Sequence, residues 1–329
     1  MNRQRILYIG EKMTHEEYLK GHVPSHWFYG AVEMERSGHT VIWEQENSGF
    51  LNDINLIKSN YHDIIFIPNL NLHNHILLLT LAAFGLYRKP IYAYLHRAPN
   101  VKNNILRYIY KFLFNGLRHI FFLSEKSMNE TVNAKLFKPD ACSVPGWGPD
   151  MDFYSRIETS DNGSFVSTGK ENRDFDMLIE AFRISGAPLH IFTVARNYSS
   201  NYDYLKDKCR DIPNINISIL EKNTSSNYLF LVKEMAKAKA LVCPLREDKL
   251  HYCVGLSTIA DAEGLDKPLI ITSNPYHDTL RVSKTGFAVN TVEEWVKAIK
   301  DIQESNIKPR KFEFNMSKAY QNMKKAMKL

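Results

Sequence analysis

Short apolar runs rich in β-branched and aromatic residues recur along the whole chain. Between them the apolar positions fall at the three- and four-residue spacings of helices. The runs at 5–9, 39–43, 62–67, 90–95, 119–123 and 141–144 predict one set of strands, and those at 165–168, 190–194, 215–220, 240–244, 268–272 and 286–289 a second. Strands that alternate with helices in this way predict parallel α/β structure, here as two sheets in succession. The Pro- and Gly-rich stretch from Pro145 to Asp150, followed by the polar run 159–164, reads as turns and a linker. It divides the chain into domains 1–153 and 154–329. Met316, Tyr320, Met323 and Met327 lie four, three and four apart with Lys318, Lys324, Lys325 and Lys328 around them, so the second domain is expected to end in an amphipathic helix with a basic outer face.

Length supports the division, because 329 residues exceed what one hydrophobic core usually organises. An apolar share of 44% with 24% charged residues excludes a disordered or fibrous chain. Cys142, Cys209, Cys243 and Cys253 form no C-x-x-C pair, which argues against a zinc knuckle or redox motif and fits a reducing cytoplasm. The first strand begins within a few residues of Met1 without a signal-like apolar region, and the apolar stretches 76–86 and 105–117 are too short or too interrupted by charge to span a bilayer. A cytoplasmic protein is the expectation.

The net charge of +6 is unevenly placed. From Leu86 to Lys126 there are eight Lys or Arg against Glu125, and from Lys308 to Leu329 seven against Glu313, so anionic partners are expected. At 100° per residue, Arg107, Lys111 and Arg118 fall within about 40° of one another with Phe114 beside them. Ile105, Leu106, Ile109, Leu113 and Leu117 fill the other faces. This stripe reads either as the solvated side of a buried helix or as a contact with an anionic bilayer, at the inner face of the cell membrane.

Three segments carry a resemblance to a known family: 143–154 (SVPGWGPDMDFY), 168–182 (TGKENRDFDMLIEAF), and 253–262 (CVGLSTIADA) followed by 267–272 (KPLIIT). In order and separation they resemble the interdomain crossing, the first strand, loop and helix of the donor domain, and the donor-site loop, helix and strand of the retaining glycosyltransferases of family 4 and their relatives. The resemblance implies the GT-B architecture, two Rossmann-like domains facing across a cleft. It also implies transfer of a hexose-type residue from a nucleotide diphosphate sugar to a glycan or lipid-linked saccharide, with retention, in polysaccharide or surface-glycan synthesis. The sugar nucleotide is then a substrate, and no metal or other cofactor is expected.

The resemblance also assigns roles. A departing nucleotide diphosphate gains charge, so cations and backbone N–H groups must face its oxygens. Gly169 lets the chain turn closely after its strand, and Lys170 and Arg173 match the family's phosphate-binding pair in a shorter loop. Gly255, Leu256, Ser257 and Thr258 open a predicted helix whose N-terminal amides cradle the diphosphate. Asp261 stands where the family's glutamate holds the ribose hydroxyls. Cys253 replaces a second family glutamate, which addresses the donor sugar, and Glu247, Asp248 or His251 are the nearby substitutes. His96, at the end of the strand 90–95, resembles the family's catalytic-site histidine. No enzymatic nucleophile is nominated.

His15, His22 and His26 lack a metal-site spacing, and His22 and His26 are read as acceptor-side candidates on a loop. Asp150-Met151-Asp152 has the form of a D-x-D metal motif but follows a Pro-Gly turn, so metal is not expected there. Neither G-x-G-x-x-G nor G-x-x-x-x-G-K-[ST] occurs, which counts against a nicotinamide dehydrogenase and a P-loop kinase. The basic regions match no nucleic-acid module. Two other functions fit the same architecture: a nonhydrolysing sugar-nucleotide epimerase, and, because of Cys253, a noncatalytic nucleotide-sugar-binding protein.

Overall fold

A computed structural model describes residues 3–45, 49–101, 103–197, 200–221, 226–305, 307 and 314–329. Lys102 of the first basic region, and Lys308, Arg310, Lys311 and Glu313 of the tail, lie outside the described residues. By contact the chain forms two units, one of residues 1–20, 25–148 and 314–329, the other of 21–24 and 149–313.

The first unit is built on β1 (Arg5–Ile9), β2 (Thr40–Glu44), β3 (Ile64–Ile67), β4 (Ile91–Leu95), β5 (His119–Phe122) and β6 (Cys142–Ser143). All pair in parallel in the order β2-β1-β3-β4-β5-β6, with Leu7 opposite both Ile42 and Ile65. The connections carry α1 (Lys12–Leu19), α2 (Ala31–Arg36), α3 (Phe50–Lys58), α4 (Ile76–Ala83), α5 (Asn104–Phe114) and α6 (Glu125–Asn133). Strands buried on both faces explain the unbroken apolar runs in the sequence, and Leu7, Ile65, Ala93 and Ile120 pack with Leu78 of α4 and Leu113 of α5.

In the second unit, α7 (Met151–Tyr154) leads into β7 (Phe165–Thr168), α8 (Phe175–Ser185) and β8 (Leu189–Val194). A short antiparallel pair, β9 (Arg196–Asn197) and β10 (Ser200–Asn201), precedes α9 (Leu205–Lys208), β11 (Ile215–Leu220), α10 (Ser226–Lys237) and β12 (Ala240–Cys243). Then follow α11 (Leu256–Gly264), β13 (Leu269–Thr272), α12 (Thr279–Thr285), β14 (Gly286–Val289) and α13 (Val292–Glu304). The six-stranded parallel sheet runs β11-β8-β7-β12-β13-β14. Helix α8 shows how local signals set an element: Asp174 caps it by accepting from the Met177 N–H at 3.0 Å, Gly186 ends it in the left-handed region, and Phe175, Leu178, Ile179 and Phe182 form the buried stripe between. Two such α/β units match the predicted fold class, and each strand predicted from the apolar runs is present within a residue or two at its ends.

The last helix, α14 (Met316–Met327), differs from its expected place in the second domain and packs on the first unit. Met316, Ala319, Tyr320, Met323 and Met327 are its buried residues. The Tyr92 hydroxyl donates to the Met327 carbonyl at 3.2 Å, and Asn322 donates to the Pro145 carbonyl at 3.0 Å. Spacing alone shows a helix with an apolar side, but it does not say which sheet that side meets.

Candidate functional site

A doubly wound sheet opens a crevice where the strand order reverses, at the carboxyl ends of the strands. In the second unit the chain winds outward from β7 through β8 to β11, then returns to β12 and continues the other way, so the reversal lies between β7 and β12. The loops leaving these two strands, with the helix α11 that follows the second, carry all of the donor-site residues singled out from the sequence.

After β7, Gly169 takes φ +150°. A Cβ there would lie 2.5 Å from Nε of Arg173, so the guanidinium occupies the space that a side chain would fill. Arg173 is buried. Its Nη1 donates to the Glu171 carbonyl at 3.1 Å, and its backbone bridges to Leu245 in the loop after β12. Lys170 is exposed on the same loop. Of the predicted phosphate-binding pair, Arg173 is the buried one.

The loop from β12 to α11 is braced from β13. Asn274 donates to the carbonyls of Tyr252 (2.9 Å) and Val254 (3.3 Å), and His277 Nε2 donates to Val254 O at 2.8 Å. Burial pushes the His277 pKa down to about 4, so the ring serves this loop as a neutral donor. Cys253 is 6% exposed and its thiol donates to the Tyr276 carbonyl at 3.1 Å. It is a buried strut in the position that the family resemblance gives to a sugar-addressing glutamate. Asp248 is exposed and paired with Arg246 and Lys249. Glu247 and His251 are exposed beside it.

The bracing fixes the start of α11. Gly255 is its N-cap at φ 90°, and a Cβ there would crowd Leu245 and Ile271 at 3.1–3.3 Å, so the position requires glycine twice over. The Leu256 and Thr258 amides bond back to Cys253 O and Gly255 O. Among the described residues, the Gly255 and Ser257 amides donate to no protein acceptor, which leaves two N–H groups at the positive end of the helix dipole.

Asp261 lies on the buried side of α11, 5% exposed. Its Oδ1 accepts from the Tyr154 hydroxyl at 2.7 Å and from the Tyr228 hydroxyl, and the two hydroxyls are 2.8 Å apart. Burial raises the Asp261 pKa to about 6, opposed by those two bonds and by the charge of Arg173. The Tyr154 ring reaches the carboxylate by lying on Gly264, where any Cβ would fall 2.2 Å from it. Two residues along α11, Glu263 forms a buried two-pronged ion pair with Arg281 of α12, at 2.7 and 2.5 Å. Tyr228, Asn274, His277 and Arg281 were not singled out from the sequence, because the contacts that define them span 18 to 74 positions. Asp150 of the D-x-D run instead caps α7, accepting from the amides of Asp152 and Phe153.

In the first unit His96 follows β4, half-buried, its Nε2 donating to the Pro68 carbonyl at 3.0 Å. That bond fixes the tautomer and leaves Nδ1 as an acceptor, while burial holds the pKa down to about 4. His22 is partly buried in the segment 21–24. His26 is fully buried, edge-on to Trp147 at 5.0 Å, with its carbonyl accepting the indole N–H, so the ring is structural and not an acceptor-side group. The stripe on α5 is also corrected. Phe114 is fully buried against Phe137, while Ile105, Leu106, Tyr108 and Ile109 are exposed alongside Arg107 and Lys111. Arg118 is exposed beyond the helix end. No helix among the described residues is long and apolar enough to cross a membrane.

No protein-family model matches the chain, and no curated protein matches it in sequence. Solved structures do match in fold. AviGT4, a glycosyltransferase involved in avilamycin A biosynthesis, aligns over 99% of this chain and 97% of its own at a TM-score of 0.57 and 10% identity. A UDP-N-acetylglucosamine 2-epimerase aligns over 99% and 96% at 0.58 and 10%. The UDP-GlcNAc 2-epimerase of Neisseria meningitidis, bound to UDP-GlcNAc, aligns over 98% and 99% at 0.52 and 10%. At these identities the likeness is one of fold, the two-domain α/β fold of GT-B type.

Proposed function

We propose that this chain is a sugar-nucleotide-dependent enzyme, and specifically a glycosyltransferase that binds the nucleotide diphosphate on its second unit. The observation that carries the reading is that the connections leaving the adjacent strands β7 and β12 hold three groups: the Arg173 guanidinium seated on Gly169, the two undonated amides opening α11, and the Asp261 carboxylate, which feels the charge of Arg173. A cation and helix amides suit a diphosphate, which gains charge as the glycosidic bond breaks. The Oδ2 atom of Asp261 makes no protein hydrogen bond among the described residues and suits the hydroxyls of a ribose. In this reading Lys170 supplements Arg173, and Ser257 or Thr258 adds a hydroxyl. His96, whose Nδ1 is left as an acceptor, keeps the catalytic-site role that the family resemblance implies. Retention, a hexose-type donor, a glycan or lipid-linked acceptor and action without a metal are carried over from the family resemblance, and a cytoplasmic setting from the cysteine spacing.

A second reading, a sugar-nucleotide epimerase, is favoured by the whole-chain likeness to an epimerase at nearly the same TM-score as the transferase and by Cys253 standing where the transferase resemblance expects a glutamate. One experiment separates them. The protein is incubated with a panel of UDP-, GDP- and dTDP-sugars, with and without saccharide acceptors, and products are resolved by chromatography. Acceptor-dependent release of nucleoside diphosphate supports the transferase, and conversion of the sugar nucleotide without acceptor supports the epimerase. Failure of every sugar nucleotide to bind or react refutes both.

A further inference from the structure

Away from the nucleotide site, the first unit holds a second concentration of unused chemistry. A cavity of about 630 Å³ opens where β4 and β5 begin, at the opposite end of the sheet from His96. Its wall carries Arg88, Lys89, Arg118, Lys138 and Lys328 against a single acid, Asp140. Lys89 donates to the Ser59 carbonyl at 2.7 Å. Among the described residues the side chains of Arg88, Arg118, Lys138 and Lys328 form no hydrogen bond and no ion pair. Four unpaired cations around one concavity repel one another, and an anion relieves that repulsion. Lys328 is delivered by the last turn of α14, whose Met327 carbonyl is pinned by the Tyr92 hydroxyl.

The turn beside the cavity is apolar. Phe84 and Leu86 are 67% and 73% exposed on the turn between α4 and β4, and the residues bracketing that turn, Ala82 and Tyr87, lie in the cavity wall. The stretch 76–87 contains no charged residue. Phe84 meets Phe112 of α5 at 5.0 Å between ring centroids, so the turn continues onto the α5 surface, where Ile105 and Tyr108 are 70% and 73% exposed among Arg107 and Lys111. Large apolar side chains held outward beside unpaired cations suit a surface that is apolar inside and anionic at its edge.

We propose that this face is a docking site for an anionic phospholipid bilayer, with the Arg88–Arg118–Lys138–Lys328 cavity receiving lipid phosphate while Phe84, Leu86 and the outer residues of α5 enter the headgroup boundary. Charge complementarity selects this occupant: an apolar protein partner or a second copy of the chain would leave the four cations unmatched, and the copy would bring four more. The site moves from the stripe predicted on α5 to the surface shared by α4, its following turn and α5. It stands independently of the nucleotide reading.

The test is co-sedimentation of the full chain with phosphatidylcholine vesicles, with or without phosphatidylglycerol. The wild type is expected to partition onto the anionic vesicles and to release as salt rises. Arg88→Gln with Arg118→Gln should lower partitioning about 30-fold, as two surface cations each worth roughly fivefold. Phe84→Ser with Leu86→Ser should lower it by about tenfold or more without changing its salt dependence. Lys297→Gln with Lys300→Gln on α13, the same charge change elsewhere, should leave it near the wild-type value, and circular dichroism melts verify that each variant is folded. Equal binding to both vesicle types, or unchanged binding by both face variants, would overturn the proposal. So would failure to bind vesicles together with tight binding of inorganic phosphate, which would make the cavity a site for a soluble anion. A dimer in analytical ultracentrifugation that the Phe84 and Leu86 changes dissolve, without vesicle binding, would overturn it in favour of self-association.

Discussion

Removing the Tyr154 hydroxyl isolates the chemistry of the buried carboxylate. In Tyr154→Phe the ring stays seated on Gly264, so packing is preserved and one of the two bonds to Asp261 Oδ1 is lost. Asp261 already carries a pKa of about 6 against 3.8, which at roughly 1.4 kcal/mol per unit is a net penalty of about 3 kcal/mol on the ionised form. A hydrogen bond to a charged group contributes about 1.5–3 kcal/mol, so its removal should raise the pKa by a further one to two units, to roughly 7–8. The sign follows from linkage. A raised carboxyl pKa means that the folded state holds the proton more tightly, so stability is fully present below about pH 4 and falls as pH rises through the folded pKa. The variant should therefore lose about 1.5 kcal/mol more than wild type at pH 7.5 than at pH 4.5, where Asp261 is protonated in both. Carbon-13 NMR of the aspartate carboxyls gives the pKa directly, and thermal melts at the two pH values give the stability difference. An unchanged Asp261 titration, or a stability loss equal at both pH values, would refute the reasoning.

Gly169→Ala places a Cβ on the Arg173 guanidinium at an unfavourable φ, and should cost about 1–3 kcal/mol in a thermal melt and weaken nucleotide binding as much as Arg173→Ala does. Glu263→Ala leaves the Arg281 guanidinium buried without its partner and should destabilise the second unit by about 3–5 kcal/mol, read by the same melts, whereas Lys249→Ala on the exposed Asp248 pair should change little. His96 should remain the neutral Nε2–H tautomer in nitrogen-15 NMR down to about pH 5, and imidazolium at pH 6 would contradict its burial. Because its folded pKa is lowered, this histidine withdraws stability as pH falls from 6.5 through about 4.

Elements were legible wherever burial imposes a local pattern. Runs such as Ile64–Ile67 and Leu269–Thr272 are apolar on both faces because helices cover both sides of a parallel sheet, and Asp174 and Gly186 mark the ends of α8 in their own immediate sequence. Gly169 and Arg173 of the loop after β7 were picked out through the family resemblance, and the contact that joins them is local, since they are four residues apart and touch. What was not legible depends on pairings across the fold. Asp261 was singled out as a ribose ligand, but its two tyrosine partners lie 107 and 33 positions away. The periodicity of α5 yields two opposite faces without saying which one is covered, and the choice falls to α4, which buries Leu113 and Phe114 and leaves Ile105 and Tyr108 outside. Likewise Cys253 reads as a missing glutamate until the Tyr276 carbonyl explains the thiol.

The most direct measurement of the central claim is a crystal structure of the chain with UDP bound at saturating concentration. Diphosphate oxygens are expected at the Gly255 and Ser257 amides and the Arg173 guanidinium, with the ribose hydroxyls on Asp261 Oδ2. Ordered nucleotide elsewhere on the chain, or no nucleotide at saturation, would contradict it.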